Sequence, residues 1–141
     1  MSEKKKILIL CTGNSARSQM AEGLLKHITN GEYEVFSAGT KPGIVRPEAI
    51  EVLQEIGIDI TGNRSKSADE FVNEEIDYIL TVCDNAKENC PYFPAKTKMI
   101  HYSFEDPAEV QGSEENRLEA FRRVRDQINN YLTDSFLEVI D

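Results

Sequence analysis

The sequence predicts an α/β fold in which a four-stranded parallel sheet carries helices on both faces. Four short apolar runs are spread along the chain, and segments with helical periodicity lie between them. Strands that alternate with helices form parallel sheets through right-handed crossovers, and the crossover helices cover the faces of the sheet. A chain of 141 residues is long enough to bury one such core. We therefore expect residues 1–141 to form a single domain.

The beginning of the chain marks its first strand and first helix. Residues 7–10 are a continuous apolar run that leads directly into Cys11, as in a strand that is buried on both faces. Apolar residues then recur with helical spacing from Met20 to Ile28, and Asn30-Gly31 supplies the residue types at which helices commonly end. These residues predict a strand, a loop and a helix in succession.

The remaining elements follow from the same two patterns. Continuous apolar runs predict buried strands, and apolar residues that recur every three or four positions predict helices. Proline fits the first turn of a helix, so Pro47 marks the start of one. In chain order, the predicted elements are a strand at 33–36, a helix from 47 to 56, a brief helix beginning at 67, strands at 76–82 and 97–101, and a long helix around 121–132.

Charge and hydropathy exclude several classes of protein. The formal net charge of −9 argues against nucleic-acid binding, which requires a basic face. No apolar run approaches the ~18 residues of a membrane span, and residues 7–10 are too short for the core of a signal peptide. We expect a cytoplasmic, monomeric protein that binds neither nucleic acid nor membrane.

The cysteines of such a protein are more useful for chemistry than for structure. There are three of them, Cys11, Cys83 and Cys90, and a reducing compartment does not favour structural disulfides. The spacing from Cys83 to Cys90 is not that of a zinc site, and neither histidine has a second ligand nearby in the sequence. No metal site is therefore predicted.

The loop that follows the first strand has the composition of an anion site. Residues 11–18 are small, polar or turn-forming, apart from one thiol and one guanidinium. The N–H groups at a helix N-terminus are unpaired and the helix dipole is positive there, so such a loop can bind a tetrahedral oxyanion. The predicted oxyanion-binding residues are Thr12, Gly13, Asn14, Ser15, Ala16, Arg17 and Ser18.

Within this loop, Cys11 and Arg17 are the predicted reactive groups. A thiol beside a helix N-terminus is favoured as the thiolate, which makes Cys11 a nucleophile. The planar fork of Arg17 can hold two oxygens of the oxyanion. Ser18 can start the helix and also stabilise the Cys11 thiolate. For Asn14 and Ser15 two roles remain open, shaping the turn or binding the oxyanion.

A second thiol is predicted at the same edge of the sheet. Cys11 follows the first strand and Cys83 follows the third. In open parallel sheets, ligands bind beyond the carboxyl ends of the strands. Both thiols should therefore point toward one site.

These residues resemble a known family. Residues 11–23, CTGNSARSQMAEG, resemble the signature loop of the low-molecular-weight protein tyrosine phosphatases and of the arsenate reductases built on the same fold. Ser37-Ala38-Gly39 and Asp106-Pro107-Ala108 stand where that family has them, and the similarity covers nearly the whole chain. The resemblance implies the fold of this family, with Asp106 as the general acid. Without the loop, Asp106 is an ordinary turn aspartate before a proline.

The other two cysteines favour the reductase branch of the family. Residues 78–83, followed by Asn89-Cys90-Pro91, resemble the redox segment of thioredoxin-coupled arsenate reductases, whereas a phosphatase needs only Cys11. The resemblance implies arsenate as the substrate, electrons supplied by thioredoxin, and no tightly bound cofactor. In the implied relay a Cys11–Cys83 disulfide forms first, and a Cys83–Cys90 disulfide then replaces it.

The spacing of the relay cysteines adds a conformational expectation. In a continuous helix Cys83 and Cys90 would lie about 10 Å apart along the axis. A disulfide requires their Cα atoms to approach within about 7 Å. We therefore expect residues 84–95 to be the most mobile part of the chain and to rearrange on oxidation.

A departure from the family concerns cations. Some members bind potassium near the turn after the second helix. Arg64 and Lys66 occupy that region here, although Asn14, Glu22 and Ser37 are present. We therefore predict no bound cation.

Three other functions remain open on the sequence alone. A low-molecular-weight tyrosine phosphatase would use Cys11 and Asp106 on phosphotyrosine and leave the other cysteines idle. A phosphocysteine carrier of a sugar transport system also places a cysteine after its first strand, but needs neither Arg17 nor Asp106. A non-catalytic redox sensor would keep the cysteines and could lose Arg17. Substitution of Arg17 or Asp106 separates the last two from an enzyme.

Overall fold

A four-stranded sheet forms the centre of the computed structural model, which describes residues 4–84 and 97–140. The strand order is β2-β1-β3-β4, and every pairing between neighbours is parallel. The predicted four-stranded parallel sheet is confirmed. The strands are β1 Lys6–Cys11, β2 Glu34–Gly39, β3 Tyr78–Thr81 and β4 Lys98–His101.

The helix predicted to start at Pro47 begins there, whereas the long C-terminal helix begins at Glu114, before the predicted range of 121–132. The first helix ends where Asn30 adopts the left-handed conformation with φ of 49°, as the Asn30-Gly31 pair predicts. The predicted brief helix is a single 3₁₀ turn, Ala68–Phe71, capped by the Ser67 hydroxyl. The α-helices are α1 Arg17–Thr29, α2 Pro47–Gln54, α3 Glu114–Tyr131 and α4 Leu137–Ile140.

The register of the sheet defines its two faces. Ile9 pairs with Ser37 on one side and with Leu80 on the other, and Ser37 donates a hydrogen bond to Glu22 of α1. This face is therefore covered by α1, which packs with α2 and α3. On the opposite face Phe36 contacts Phe71 of the 3₁₀ turn, with ring centroids 5.3 Å apart.

The C-terminal helical region is longer and less regular than the periodicity of its apolar residues predicts. A π-helical turn, Leu132–Phe136, separates α3 from α4. The Thr133 hydroxyl donates hydrogen bonds to the carbonyls of Asn129 and Asn130 at 2.9 and 3.2 Å. Such side-chain bonds compete with the helical hydrogen bonds of the backbone, which accounts for the local change of pitch.

The carboxyl edge of the sheet brings the predicted reactive residues together. Cys11 is the last residue of β1 and pairs with Gly39, the last residue of β2. Cys83 comes two residues after the end of β3. Cys90 and the predicted mobile segment 84–95, apart from Asp84, lie outside the described residues. No helix in the described part of the chain is long and apolar enough to cross a membrane.

Candidate active site

Hydrogen bonds to its backbone carbonyls fix the loop between β1 and α1. Six consecutive carbonyls, from Cys11 to Ala16, each accept a hydrogen bond. The first three accept from the backbone N–H groups of Thr40, Lys41 and Gly43, at 3.2, 2.8 and 3.1 Å. The next three accept from Gln19 Nε2, from the Arg46 N–H and from the Met20 N–H. The carbonyls therefore point away from the centre of the loop.

The N–H groups of the loop are correspondingly available to a ligand. Among the described residues, none supplies a hydrogen-bond acceptor to the amides of residues 13–17. Asn14 has a positive φ of 48°, and backbone that alternates into this conformation curls successive N–H groups toward a common point. The start of α1 adds its positive dipole end. The loop is a preformed site for a tetrahedral anion.

This loop requires a glycine on the neighbouring strand. A Cβ on Gly39 would lie 2.5 Å from the carbonyl oxygen of Thr12 and 2.9 Å from the amide nitrogen of Asn14. Both contacts are with backbone atoms, which cannot rotate away. The Ser37-Ala38-Gly39 segment therefore holds the loop at a distance that only glycine permits.

A cavity of about 240 Å³ opens above the loop. Its walls bring together most of the residues predicted from the sequence, including the thiol, the guanidinium and the carboxylate. Asn14 and Ser18 instead lie beneath it and are completely buried. The lining residues are Cys11, Thr12, Gly13, Ser15, Ala16, Arg17, Arg46, Asp106 and Ala108.

A chain of hydrogen bonds beneath the cavity determines what Ser18 does to Cys11. The side-chain Nδ2 of Asn14 donates to the Ser18 hydroxyl at 2.8 Å and to the Ser37 hydroxyl at 2.9 Å. Ser37 in turn donates to the Glu22 carboxylate at 2.6 Å. A thiolate has no hydrogen to donate, so when Cys11 is ionised the Ser18 hydroxyl is the donor to Cys11 Sγ, which lies 3.1 Å away. A donor at this position stabilises the thiolate.

Two lysine side chains lie close to Glu22, the last residue of this hydrogen-bond network. Lys26 Nζ lies 2.8 Å from Glu22 Oε2, and Lys66 Nζ lies 3.9 Å from Glu22 Oε1. Burial lowers the pKa of the Lys66 ammonium group, and the Glu22 charge acts in the opposite direction. The backbone N–H of Lys66 also donates to the Asn14 side-chain oxygen at 3.0 Å, which fixes the orientation of that amide. The Lys66 ammonium group therefore lies in the region where some family members bind potassium. The described residues contain no cluster of three metal-ligating side chains.

Arg17 and Asp106 face each other across the cavity. The Arg17 guanidinium donates to the Phe104 carbonyl at 3.1 Å, and its Nη2 lies 3.6 Å from Asp106 Oδ2. Asp106 Oδ1 accepts from the Ala108 N–H at 3.0 Å, as expected of a turn aspartate before proline. Asp106 therefore caps a turn with one oxygen and presents the other to the cavity.

Cys83 lies at the side of the loop. Its Sγ is 3.3 Å from the hydroxyl of Thr12, the residue that follows Cys11. Cys11 and Cys83 are both buried free thiols. Cys83 therefore lies beside the residue that follows Cys11, whereas Cys90 is outside the described residues.

Two features of the site have no signal in the sequence. Arg46, just before α2, reaches the cavity from outside the loop motif. His101 Nε2 lies 3.0 Å from Asp84, the residue after Cys83, and its Nδ1 lies 2.7 Å from the Thr81 hydroxyl. The contact with Asp84 attaches the chain beyond Cys83 to β4. Both involve partners too far apart in sequence for a local motif to reveal.

The arrangement can bind a tetrahedral oxyanion and attack its central atom. The loop amides and Arg17 supply hydrogen bonds, Cys11 supplies the nucleophile, and Asp106 can supply a proton. Thiols other than Cys11 are not needed for attack alone.

Comparisons with known proteins agree with this geometry. The family model described as low molecular weight phosphotyrosine protein phosphatase matches residues 6–140. An arsenate reductase from Oceanobacillus iheyensis is 45% identical over 127 residues, covering 90% of this chain and 91% of that protein. The solved structure of an arsenate reductase in its oxidized state has a TM-score of 0.80 at 30% identity, covering 96% of this chain and 98% of that one. A thioredoxin-dependent arsenate reductase from Corynebacterium glutamicum has a TM-score of 0.72 at 25% identity, covering 97% of this chain and 64% of that one.

Proposed function

This chain belongs to the low-molecular-weight phosphotyrosine protein phosphatase family, and we propose that it is an arsenate reductase that uses three cysteines in relay. The activity is supported by its relatives, such as the arsenate reductase at 45% identity. The observation that carries the proposal is the position of Cys83, 3.3 Å from the Thr12 hydroxyl beside the nucleophile. A hydrolase has no use for a second thiol there, whereas a two-electron reductase requires one.

The first step is attack on arsenate in the cavity above the loop. The loop amides and the Arg17 fork hold the arsenate oxygens, and the Cys11 thiolate forms a bond to arsenic. The bond from arsenic to one hydroxyl group breaks, and that group leaves as water after taking a proton from Asp106. The Ser18 hydroxyl, 3.1 Å from Cys11 Sγ, favours the thiolate that this step consumes. Arsenic remains As(V).

The second step transfers the electrons. The Cys83 thiolate attacks Cys11 Sγ, so that a sulfur–sulfur bond forms and the sulfur–arsenic bond breaks. The electron pair of the broken bond stays on arsenic, which is reduced to As(III) and leaves as arsenite. The two sulfur atoms are oxidised to the Cys11–Cys83 disulfide.

The third step restores Cys11. The Cys90 thiolate attacks Cys83 Sγ and expels Cys11 as a thiolate, which leaves a Cys83–Cys90 disulfide. We propose that the dithiol of thioredoxin reduces this disulfide, and the thioredoxin-dependent relative from Corynebacterium glutamicum supports that choice. No tightly bound cofactor takes part, and the enzyme acts as a cytoplasmic monomer of one domain.

Phosphatase activity is the second candidate. The cavity formed by the loop, Arg17 and Asp106 would accept a phosphoryl group as readily as arsenate, since each of these two ligands is a tetrahedral oxyanion. In that case hydrolysis of the Cys11 phosphoryl intermediate would complete the reaction, and Cys83 and Cys90 would be idle. We propose such hydrolysis as a residual activity of the same site.

Turnover with a coupled reductant distinguishes the two functions. Arsenate-dependent oxidation of NADPH is measured with thioredoxin and thioredoxin reductase, for the wild type and for Cys90→Ser. We expect continuous turnover in the wild type and one equivalent of arsenite in the variant, because its electrons stop at the Cys11–Cys83 disulfide. Hydrolysis of an aryl phosphate by the same two proteins is the control for an intact loop.

The opposite pattern would overturn the proposal. If neither protein reduces arsenate while both hydrolyse the aryl phosphate, the chain is a phosphatase and the two further cysteines are bystanders. If Cys90→Ser turns over continuously, arsenate reduction stands but the relay does not.

A further inference from the structure

The backbone of Arg46 is hydrogen-bonded both to the active-site loop and to the first turn of α2. Its N–H donates to the carbonyl of Ser15 at 2.8 Å, and its carbonyl accepts from the N–H groups of Ala49 and Ile50 in the first turn of α2. The base of the side chain is therefore fixed to the loop that carries Cys11. Arg46 also lines the cavity above that loop and is only partly exposed.

The charges in the cavity distinguish Arg46 from Arg17. Arg17 lies 3.6 Å from the Asp106 carboxylate and donates to the Phe104 carbonyl, so its charge and part of its fork already have partners. Within residues 4–84 and 97–140, Arg46 forms no ion pair. Among the described residues, the positive charge of the cavity wall that lacks an ion-pair partner is that of Arg46. An anion that enters the cavity can supply that partner.

We propose that Arg46 binds the substrate directly and makes the site selective for inorganic oxyanions over organic esters. A free tetrahedral oxyanion has oxygens on every side, so it can engage the loop amides and Arg17 and still offer a charged oxygen to Arg46. In an ester, one oxygen carries an organic group, which cannot accept a guanidinium fork as a charged oxygen does. This inference rests on the proposed function only in naming arsenate as the inorganic anion.

Binding can be measured without turnover. Inorganic phosphate and phenylphosphonate are titrated as protectants of Cys11 against alkylation by iodoacetamide, with the modified peptide identified by mass. The proteins are the wild type, Arg46→Gln, Arg46→Lys and a control, Lys41→Gln. Lys41 is an exposed cation on the same segment, and its N–H also bonds to the loop, but its side chain is not part of the cavity wall.

Arg46→Gln should weaken protection by phosphate about tenfold, the effect of losing one charge-assisted hydrogen bond. Protection by phenylphosphonate should change much less, Arg46→Lys should restore part of the phosphate affinity, and Lys41→Gln should match the wild type. For arsenate reduction, Arg46→Gln should raise KM and leave kcat nearly unchanged. Stability against urea, measured on each protein, shows that the variants are folded.

Two results would overturn the inference. Unchanged phosphate protection in Arg46→Gln would mean that Arg46 does not contact the anion. Equal losses for phosphate and phenylphosphonate would mean that it supplies charge without selectivity. A failure of the proposed function is distinct, because wild-type protein that does not reduce arsenate could still lose phosphate affinity in Arg46→Gln.

Discussion

Two polar clusters of this protein have similar numbers of hydrogen bonds and opposite surroundings. The cluster beneath Cys11 consists of Ser18, Asn14, Ser37 and Glu22, each with at most 4% of its surface exposed. The second cluster lies on the surface between α2 and α3, where Arg122 bonds to Glu55, Glu115 and Glu119. The buried cluster is shielded from water, whereas water can replace any partner in the surface cluster.

The difference between them shows that the number of contacts is a poor measure of their effect. The hydrogen bonds that Arg122 donates to Glu55, followed by those to Glu115 and Glu119, raise the pKa of its guanidinium. The side chains of Glu115 and Glu119 are nevertheless 69% and 64% exposed, and such ion pairs contribute little to stability. The buried cluster has a direction that ends at Cys11 Sγ, so it affects chemistry as well as stability.

Gly39→Ala should have the largest effect on activity, because it displaces the loop that lies directly above the buried cluster. The new Cβ would lie 2.5 Å from the Thr12 carbonyl oxygen, so the loop that carries Cys11 must move. A displacement of this size is expected to reduce kcat/KM for arsenate about 100-fold. Gly43→Ala is the matched control, because a Cβ there meets nothing within 4 Å. Equal activities of the two variants would show that the close approach is unimportant.

Glu22→Gln tests the buried cluster through stability. The amide cannot balance Lys26 and Lys66, which lie 2.8 and 3.9 Å from the two carboxylate oxygens. We expect the free energy of unfolding to fall by about 2 kcal/mol, measured by urea denaturation. A change as small as that for an exposed glutamate would contradict the account of this cluster.

Ser18→Ala removes the hydrogen bond to Cys11 Sγ and the one that the Ser18 hydroxyl accepts from the Asn14 side chain. Because the Ser18 hydroxyl is the group that donates to Cys11 Sγ, its loss should disfavour the thiolate. The rate of Cys11 alkylation at neutral pH is expected to fall about tenfold. An unchanged rate would show that Ser18 has only a structural role.

Glu55→Gln should have the smallest effect, and it should depend on pH. The hydrogen bond from Arg122 lowers the pKa of Glu55 in the folded protein, although burial acts in the opposite direction. A carboxyl group with a depressed folded-state pKa stabilises the fold above its unfolded-state pKa, and this contribution is lost as the pH falls through the folded-state pKa. We therefore expect a Tm lower than wild type by no more than about 2 °C at pH 7, and a difference that disappears once the pH is well below the lowered folded-state pKa of Glu55. A larger difference at pH 7, or one that persists in acid, would contradict the view that solvent screens this cluster.

The parts of the protein that follow from local sequence could be predicted, and those that depend on distant contacts could not. The apolar run at residues 7–10 and the Asn30-Gly31 pair define β1 and the end of α1, because each acts over a few residues. The loop residues Cys11 and Arg17 were recognisable for the same reason. The sequence shows Glu22 and Ser37 but not that their side chains are bonded, since 15 positions separate them.

The same limit applies to the residues that sequence reasoning missed. Arg46 reaches the cavity because its N–H bonds to Ser15 on another segment. His101 reaches Asp84 because β3 and β4 are neighbours in the sheet. The π-helical turn depends on the Thr133 hydroxyl bonding to the preceding helical turn, and periodicity of apolar residues does not report such bonds.

The central claim is that Cys11, Cys83 and Cys90 exchange disulfides in that order. Reduced protein is treated with one equivalent of arsenate without thioredoxin, quenched in acid with an alkylating agent, and its disulfides are mapped by mass spectrometry. We expect a Cys83–Cys90 disulfide with alkylated Cys11 in the wild type, and a Cys11–Cys83 disulfide in Cys90→Ser, with one arsenite released in each case. A disulfide between Cys11 and Cys90, or arsenite release without any disulfide, would contradict the central claim.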